Sequence, residues 1–126
     1  MAHRPPAILG DEREHELDET LRALAEPRRR AILRLVAEAE LSAGEIAGYF
    51  EVTRTAVSQH LTVLKNAGLL AERRVATRRL YRARPEGLAG LRRFLDQMWA
   101  SSREVARDLV EADRAAGLDD RASAAG

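Results

Sequence analysis

Between Thr53 and Lys65 the chain sets short, forked hydrogen-bonding groups at helical spacing. Arg54, Thr55, Ser58, Gln59 and Thr62 share one side of a helical wheel. The opposite side carries Val57, Leu61 and Leu64, three or four residues apart, an apolar stripe that must face a core. An ordinary solvated helix face is a mixture of Glu and Lys. Here it is made of groups that can donate to and accept from the edges of bases. His60 and Lys65 lie beside this face. A second set of cations, Arg73, Arg74, Arg78 and Arg79, follows within a few residues. Guanidinium groups so placed can lie along phosphates or reach into a minor groove.

Other chemistries find little material. Cysteine is absent, which removes disulfides, thiolate metal sites and thiol redox sensing together. The three histidines, His3, His15 and His60, are scattered. His60 has no Ser, Cys or Asp arranged locally for catalysis. A phosphate or base contact and a structural seat beside Val57 and Leu64 both stay open for it. No Gly-rich phosphate loop is present, so an enzyme is not expected.

Charge concentrates where the reading face lies. The formal net charge is only +1, but residues 1–26 carry −4, residues 27–84 carry +7 and residues 85–126 carry −2. A basic segment in a near-neutral protein is an electrostatic footprint for nucleic acid, although a solvated Arg-rich surface fits the charge alone equally well. Lys65 is the single lysine among 21 basic residues. A coding bias explains that usage, so no arginine is functional merely by being one. No apolar run suits a signal peptide or a membrane span, and a cytoplasmic protein is expected.

The elements that would position these groups follow in order. Residues 1–10 are expected to be a flexible tail, 11–113 one domain, and 114–126 a second flexible tail. A first helix spans Asp11 to Ala25, with Leu17, Leu21 and Leu24 at helical spacing. Pro27 opens a second, running to about Glu38. Arg28, Arg29 and Arg30 at its start suit phosphate contact or ion pairing equally. Ser42-Ala43-Gly44-Glu45 spells a capping box for a third helix, ending near Phe50, with Ile46, Ala47 and Phe50 inward. Thr53 caps the fourth helix, and Gly68 suits the left-handed residue behind it. Leu69–Arg74 and Arg78–Arg82 alternate as strands, joined at Val75-Ala76-Thr77. The last helix spans Pro85 to Asp113. Leu88, Leu91, Leu95, Met98, Ser102, Val105 and Leu109 form a heptad-like seam along it, flanked by Phe94 and Trp99. The fold expected is mainly α with a small β-hairpin wing: a winged helix-turn-helix in the order α-α-α-α-β-β-α.

At this level of detail the chain resembles the ArsR/SmtB family of bacterial winged-helix repressors. The likeness rests on Leu24-Ala25-Glu26-Pro27-Arg28-Arg29-Arg30-Ala31-Ile32-Leu33 and on Glu40-Leu41-Ser42-Ala43-Gly44-Glu45-Ile46-Ala47. It rests also on the run from Ala56 to Leu70 and on Arg78-Arg79-Leu80-Tyr81. The resemblance implies a homodimeric transcription factor, usually a repressor. It implies dimerisation through the first and last helices, with two reading helices in successive major grooves of double-stranded DNA. On that reading Leu17, Leu21, Leu24, Leu88, Leu91, Leu95, Met98, Trp99, Ser102 and Val105 meet the partner copy. Packing of the same stripes on the chain's own core is the alternative. Arsenic and cadmium sensors of this family begin the third helix with two Cys separated by one residue, where Ser42 and Gly44 stand here. Its zinc sensors place Asp and His on the last helix. Here that helix has Asp96, Glu104 and Asp108 but no His. The resemblance is therefore to metal-independent members, with no metal or cofactor expected. A winged helix used for protein–protein contact alone is the competing function.

Overall fold

The structure, a computed structural model, describes residues 12–125, with side chains described as far as residue 117. The tail expected over residues 1–10 lies outside the described residues. The chain divides into two units, one through Leu91 and one from Arg92.

In the first unit α1 runs Glu12–Leu24 and α2 Pro27–Glu38. Pro27 sits at the first turn of α2, where its missing N–H costs nothing, and the Glu26 carboxylate accepts the Arg29 amide at 2.9 Å. The capping box forms as the sequence predicts. The Glu45 amide donates to Ser42 Oγ at 3.2 Å and the Ser42 amide to Glu45 Oε1 at 3.1 Å. The helix it opens, α3, is shorter than expected, Ala43–Ala47. Beyond Gly48 the amides of Tyr49 and Phe50 bond three residues back, to Ile46 and Ala47, so the chain tightens into turns. Helix α4 spans Arg54–Asn66, with Thr53 Oγ1 accepting the Ala56 amide.

Gly68, at φ 76°, closes α4 while the Leu69 amide returns to the Leu64 carbonyl. Gly87 passes so near this corner that a Cβ there would lie 2.1 Å from the Gly68 carbonyl oxygen. The two glycines thus let the end of the reading helix and the end of the wing cross.

Strands β2 (Leu70–Val75) and β3 (Arg78–Ala83) pair antiparallel, with Ala76 at φ 56° in the tight turn. The expected hairpin is in fact a three-stranded sheet. Leu41–Ser42 form β1 and pair with β3, in the order β1-β3-β2. Two residues show no alternation, so this strand had no sequence signature. On β3 it is Tyr81 and Ala83 that pack on the core, rather than Leu80.

The core gathers Ile32 and Val36 of α2, Ile46 of α3, and Val57, Leu61 and Leu64 of α4. Ala23, Leu41, Leu69 and Leu70 complete it. The stripe read along residues 57–64 is therefore the surface by which α4 is seated.

A 3-10 turn at Pro85–Leu88 precedes α5, Ala89–Ala125. The final helix starts later than Pro85 and continues past Asp113, where the sequence reading ended it and began a tail. Ala115, Ala116, Ala122, Ala124 and Ala125 are strong helix formers, and no proline interrupts them. No helix of the described residues is long and apolar enough to cross a membrane. Along the second unit Phe94, Leu95, Met98, Trp99, Val105, Leu109 and Val110 are all exposed, Trp99 to 63% and Leu109 to 66%.

Candidate nucleic-acid interface

Burial divides α4 along the line its sequence predicts. Val57, Leu61 and Leu64 are at most 2% exposed, while Arg54, Thr55, Ser58, Gln59, Thr62 and Lys65 stand in solvent. The Thr62 hydroxyl donates back to the Ser58 carbonyl at 3.0 Å, which orients its methyl and its two lone pairs. Arg54, Thr55, Ser58 and Gln59 have no side-chain hydrogen bond or ion pair among the described residues. They are available to a ligand without first breaking anything.

Between the first turn of α4 and the wing tip lies a cleft of about 350 Å³. It is lined by Ser42, Ala43, Arg54, Ser58, Thr77, Arg78, Arg79 and Tyr81. Three hydroxyls, a phenol and three guanidinium groups in one concavity suit an anionic backbone. The fold therefore brings together Arg54 and Ser58 of the helix with Arg78 and Arg79 of the hairpin, side chains 20 or more positions apart.

The wing's cations are more heavily engaged than the sequence suggests. Side chains alternate along strands, so the register sets Arg74 and Arg79 on one face with Glu72 and Tyr81, and Arg73 and Arg78 on the other with Leu80. Lys65 Nζ donates to Glu72 Oε2 at 2.8 Å, and Arg79 Nε lies 3.5 Å from the other oxygen of the same carboxylate. Arg73 grips Glu40 through both Nη2 and Nε, the latter at 3.1 Å. Arg78 Nη2 donates to Glu45 Oε1, which also caps Ser42. Arg74 alone of the four wing arginines has no hydrogen bond or ion pair among the described residues. The pairing is felt by the carboxyls. The Arg73 hydrogen bond holds Glu40 below its ordinary pKa, and the Lys65 hydrogen bond does so for Glu72. The Ser42 amide, with Arg78 behind it, lowers Glu45.

The arginines opening α2 have a use that the sequence reading did not include. Arg29 Nε and Nη2 donate to the carbonyls of Ala23 and Arg22 at 2.7 and 3.0 Å, and Arg30 Nη1 to that of Leu24 at 2.7 Å. They cap the C-terminus of α1, whose last carbonyls have no glycine turn to satisfy them. A helix ending at Ala25-Glu26-Pro27 without Gly or Asn was the available signal. Arg28 instead stacks over Phe50, 5.0 Å from the ring centroid. His60 is half-buried, with Nδ1 3.4 Å from Arg29 Nη1. A guanidinium can only donate, so Nδ1 must offer a lone pair. The ring thus ties α4 to the α1–α2 corner, and only Nε2 remains for an outside contact.

The residues assigned to a partner copy separate into two sets. Leu17 is buried within the chain, and Leu24 and Leu88 are half-buried against its own core. Leu91 is half-buried. Leu21, Leu95, Met98, Trp99, Ser102 and Val105 are exposed. Among the described residues no group of three His, Cys, Asp or Glu side chains could hold a metal ion.

Comparison with known proteins gives concordant matches. The profile of bacterial regulatory proteins of the arsR family matches residues 26–72, from the cap of α2 to Glu72 of the wing. The HTH-type transcriptional regulator Rv2034 of Mycobacterium tuberculosis is 43% identical over 96 residues, 76% of this chain and 90% of that protein. The transcriptional repressor SdpR of Bacillus subtilis is 33% identical over 58 residues, 46% of this chain and 64% of the repressor. Among solved structures, one match is the homodimeric winged helix-turn-helix DNA-binding domain of Mb0332 from Mycobacterium bovis, a possible ArsR-family regulator. It superposes with a TM-score of 0.61 at 30% identity, over 82% of this chain and 94% of that one.

Proposed function

The chain belongs to the ArsR family of bacterial regulatory proteins, and on that premise we propose that it is a dimeric repressor reading an inverted-repeat operator. It is a DNA-binding transcriptional regulator with a winged helix-turn-helix. The observation that carries the finer reading is the outer face of α4. Arg54, Thr55, Ser58 and Gln59 are exposed and uncommitted, on a helix whose other side is fully buried. That is what insertion into a major groove needs. His60, Thr62 and Lys65 flank them, and Arg73, Arg74, Arg78 and Arg79 of the wing follow the phosphates.

The apolar side chains left exposed along α5 support self-association, since charged solvent-facing helices do not carry such a stripe. The similar DNA-binding domain of Mb0332 is homodimeric. Two copies related by a two-fold axis present two reading helices to half-sites about 34 Å apart. Occlusion of a promoter is the output assigned, in keeping with the similarity to SdpR.

Selection of bound duplexes from random sequence, followed by footprinting of the winner, tests this reading. A two-fold symmetric site with half-sites one helical turn apart is the expected result. Failure to enrich any sequence would turn the assignment to the competing one, a winged helix used for protein contact.

A further inference from the structure

Four of the cations beside the reading face are held by three carboxylates. Glu72 takes Lys65 and Arg79, Glu40 takes Arg73, and Glu45 takes Arg78. The cations keep 52–64% of their side-chain surface exposed, whereas the Glu72 and Glu40 carboxylates are only 21% and 25% exposed. Glu72 and Glu40 are set behind their bases, while Glu45, 45% exposed, lies beside Arg78. A phosphate approaching any of these cations meets a fixed negative charge within a few ångströms of its target. Arg54 has no such neighbour bonded to it among the described residues, and Arg74 has none bonded although the Glu72 charge acts on it from the same strand face.

We propose that Glu40, Glu45 and Glu72 are specificity-determining residues that hold down the sequence-independent share of DNA affinity; this rests on the DNA-reading function proposed above. Loose, non-specific binding is driven by counterion release and scales with the positive charge a face can offer. By cancelling charge on the wing the carboxylates weaken that mode. They leave the outer face of α4 free, because none of them bonds Arg54, Thr55, Ser58 or Gln59; on that helix only Lys65, in its last turn, is engaged, by Glu72. On a seated operator the α4 contacts fix the register. Glu40–Arg73 and Glu45–Arg78 then serve as tethers, one fastening β2 to the chain ahead of β1 and the other fastening β3 to α3. The carboxylates are thus used differently in the two modes, which is why they alter the ratio of affinities and not merely their level.

The test compares the full-length protein with the E40Q/E45Q/E72Q variant on two duplexes, the selected site and a scrambled one, across a range of salt. Glutamine keeps the hydrogen-bonding shape, and at position 45 it preserves the capping box. Scrambled-duplex affinity is expected to rise by about tenfold or more, with a salt slope steeper by up to about three. Affinity for the selected site should rise less, so the ratio falls. An E12Q/E16Q/E111Q variant, with the same charge change on α1 and α5, should show neither effect. An unchanged scrambled-duplex slope, or an equal gain on both duplexes, overturns the proposal. A wild-type protein that binds neither duplex removes the DNA-reading function itself. Should the triple variant melt early, E72Q alone carries the test, with a slope steeper by about one.

Discussion

The outer face of α4 and the basic wing both carry groups suited to DNA, yet they hold them in opposite states. On α4 the side chains of Arg54, Thr55, Ser58 and Gln59 are uncommitted, and the helix is anchored chiefly through its buried stripe, with His60 and Lys65 bonded at its margins. On the wing Arg73, Arg78 and Arg79 are each already paired with a carboxylate. A reading face must offer groups whose hydrogen bonds are satisfied only by the right bases, since an unpaired donor at the wrong base is what discriminates. A positioning face has no such need. It can be tied to the body and still turn the exposed edge of each paired guanidinium toward phosphate. The difference assigns sequence reading to α4 and placement to the hairpin.

The comparison breaks most completely if α4 loses its seat. Leu61 is 2% exposed in the middle of the buried stripe, and Leu61→Ala should cost about 2–5 kcal/mol of stability in urea denaturation, with DNA binding lost alongside. A cost under ~1 kcal/mol would mean that α4 is not held by its core face. Gln59→Ala acts on the opposite face. Cognate binding should weaken by about 1–3 kcal/mol with base preference relaxed at one position, and scrambled DNA should be unaffected. Equal losses on both duplexes would remove Gln59 from the reading set.

Within the wing, Arg74 and Arg73 sharpen the contrast. Arg74→Ala should flatten the salt slope by about one unit, the full value of a phosphate contact, while Arg73→Ala, whose charge Glu40 already offsets, should change it by less. Equal changes would show that the ion pairs do not limit the wing.

The smallest effect is on stability in acid. Their hydrogen bonds to Arg73, Ser42 and Lys65 hold Glu40, Glu45 and Glu72 below the ordinary carboxyl pKa. A depressed carboxyl pKa contributes stability above the unfolded value, and loses it as pH falls through the folded one. The melting temperature should therefore decline below about pH 4.5, and less steeply in the E40Q/E45Q/E72Q variant.

Much of this was legible in the chain itself. Pro27, the Ser42–Glu45 capping box, Thr53 and Gly68 each mark a boundary through a local backbone requirement, so α2, α3 and α4 start where those residues stand. The apolar stripe of α4 is local too, since 3.6-residue periodicity lies within one segment. β1 was not legible, because two residues have no period and its partner lies some 40 positions away. Nor was the fate of Arg29 and Arg30, which cap a helix that precedes their own.

The sequence by itself determined which helix could read DNA, because amphipathicity, capping and side-chain type are properties of contiguous residues. Only the tertiary structure decided how the charges are spent. Arg73 and Glu40, like Arg78 and Glu45, are 33 positions apart. Composition counts these cations as free. Their pairing follows from strand register and from the packing of α3 against the sheet, and electrostatic energy depends on distance in space.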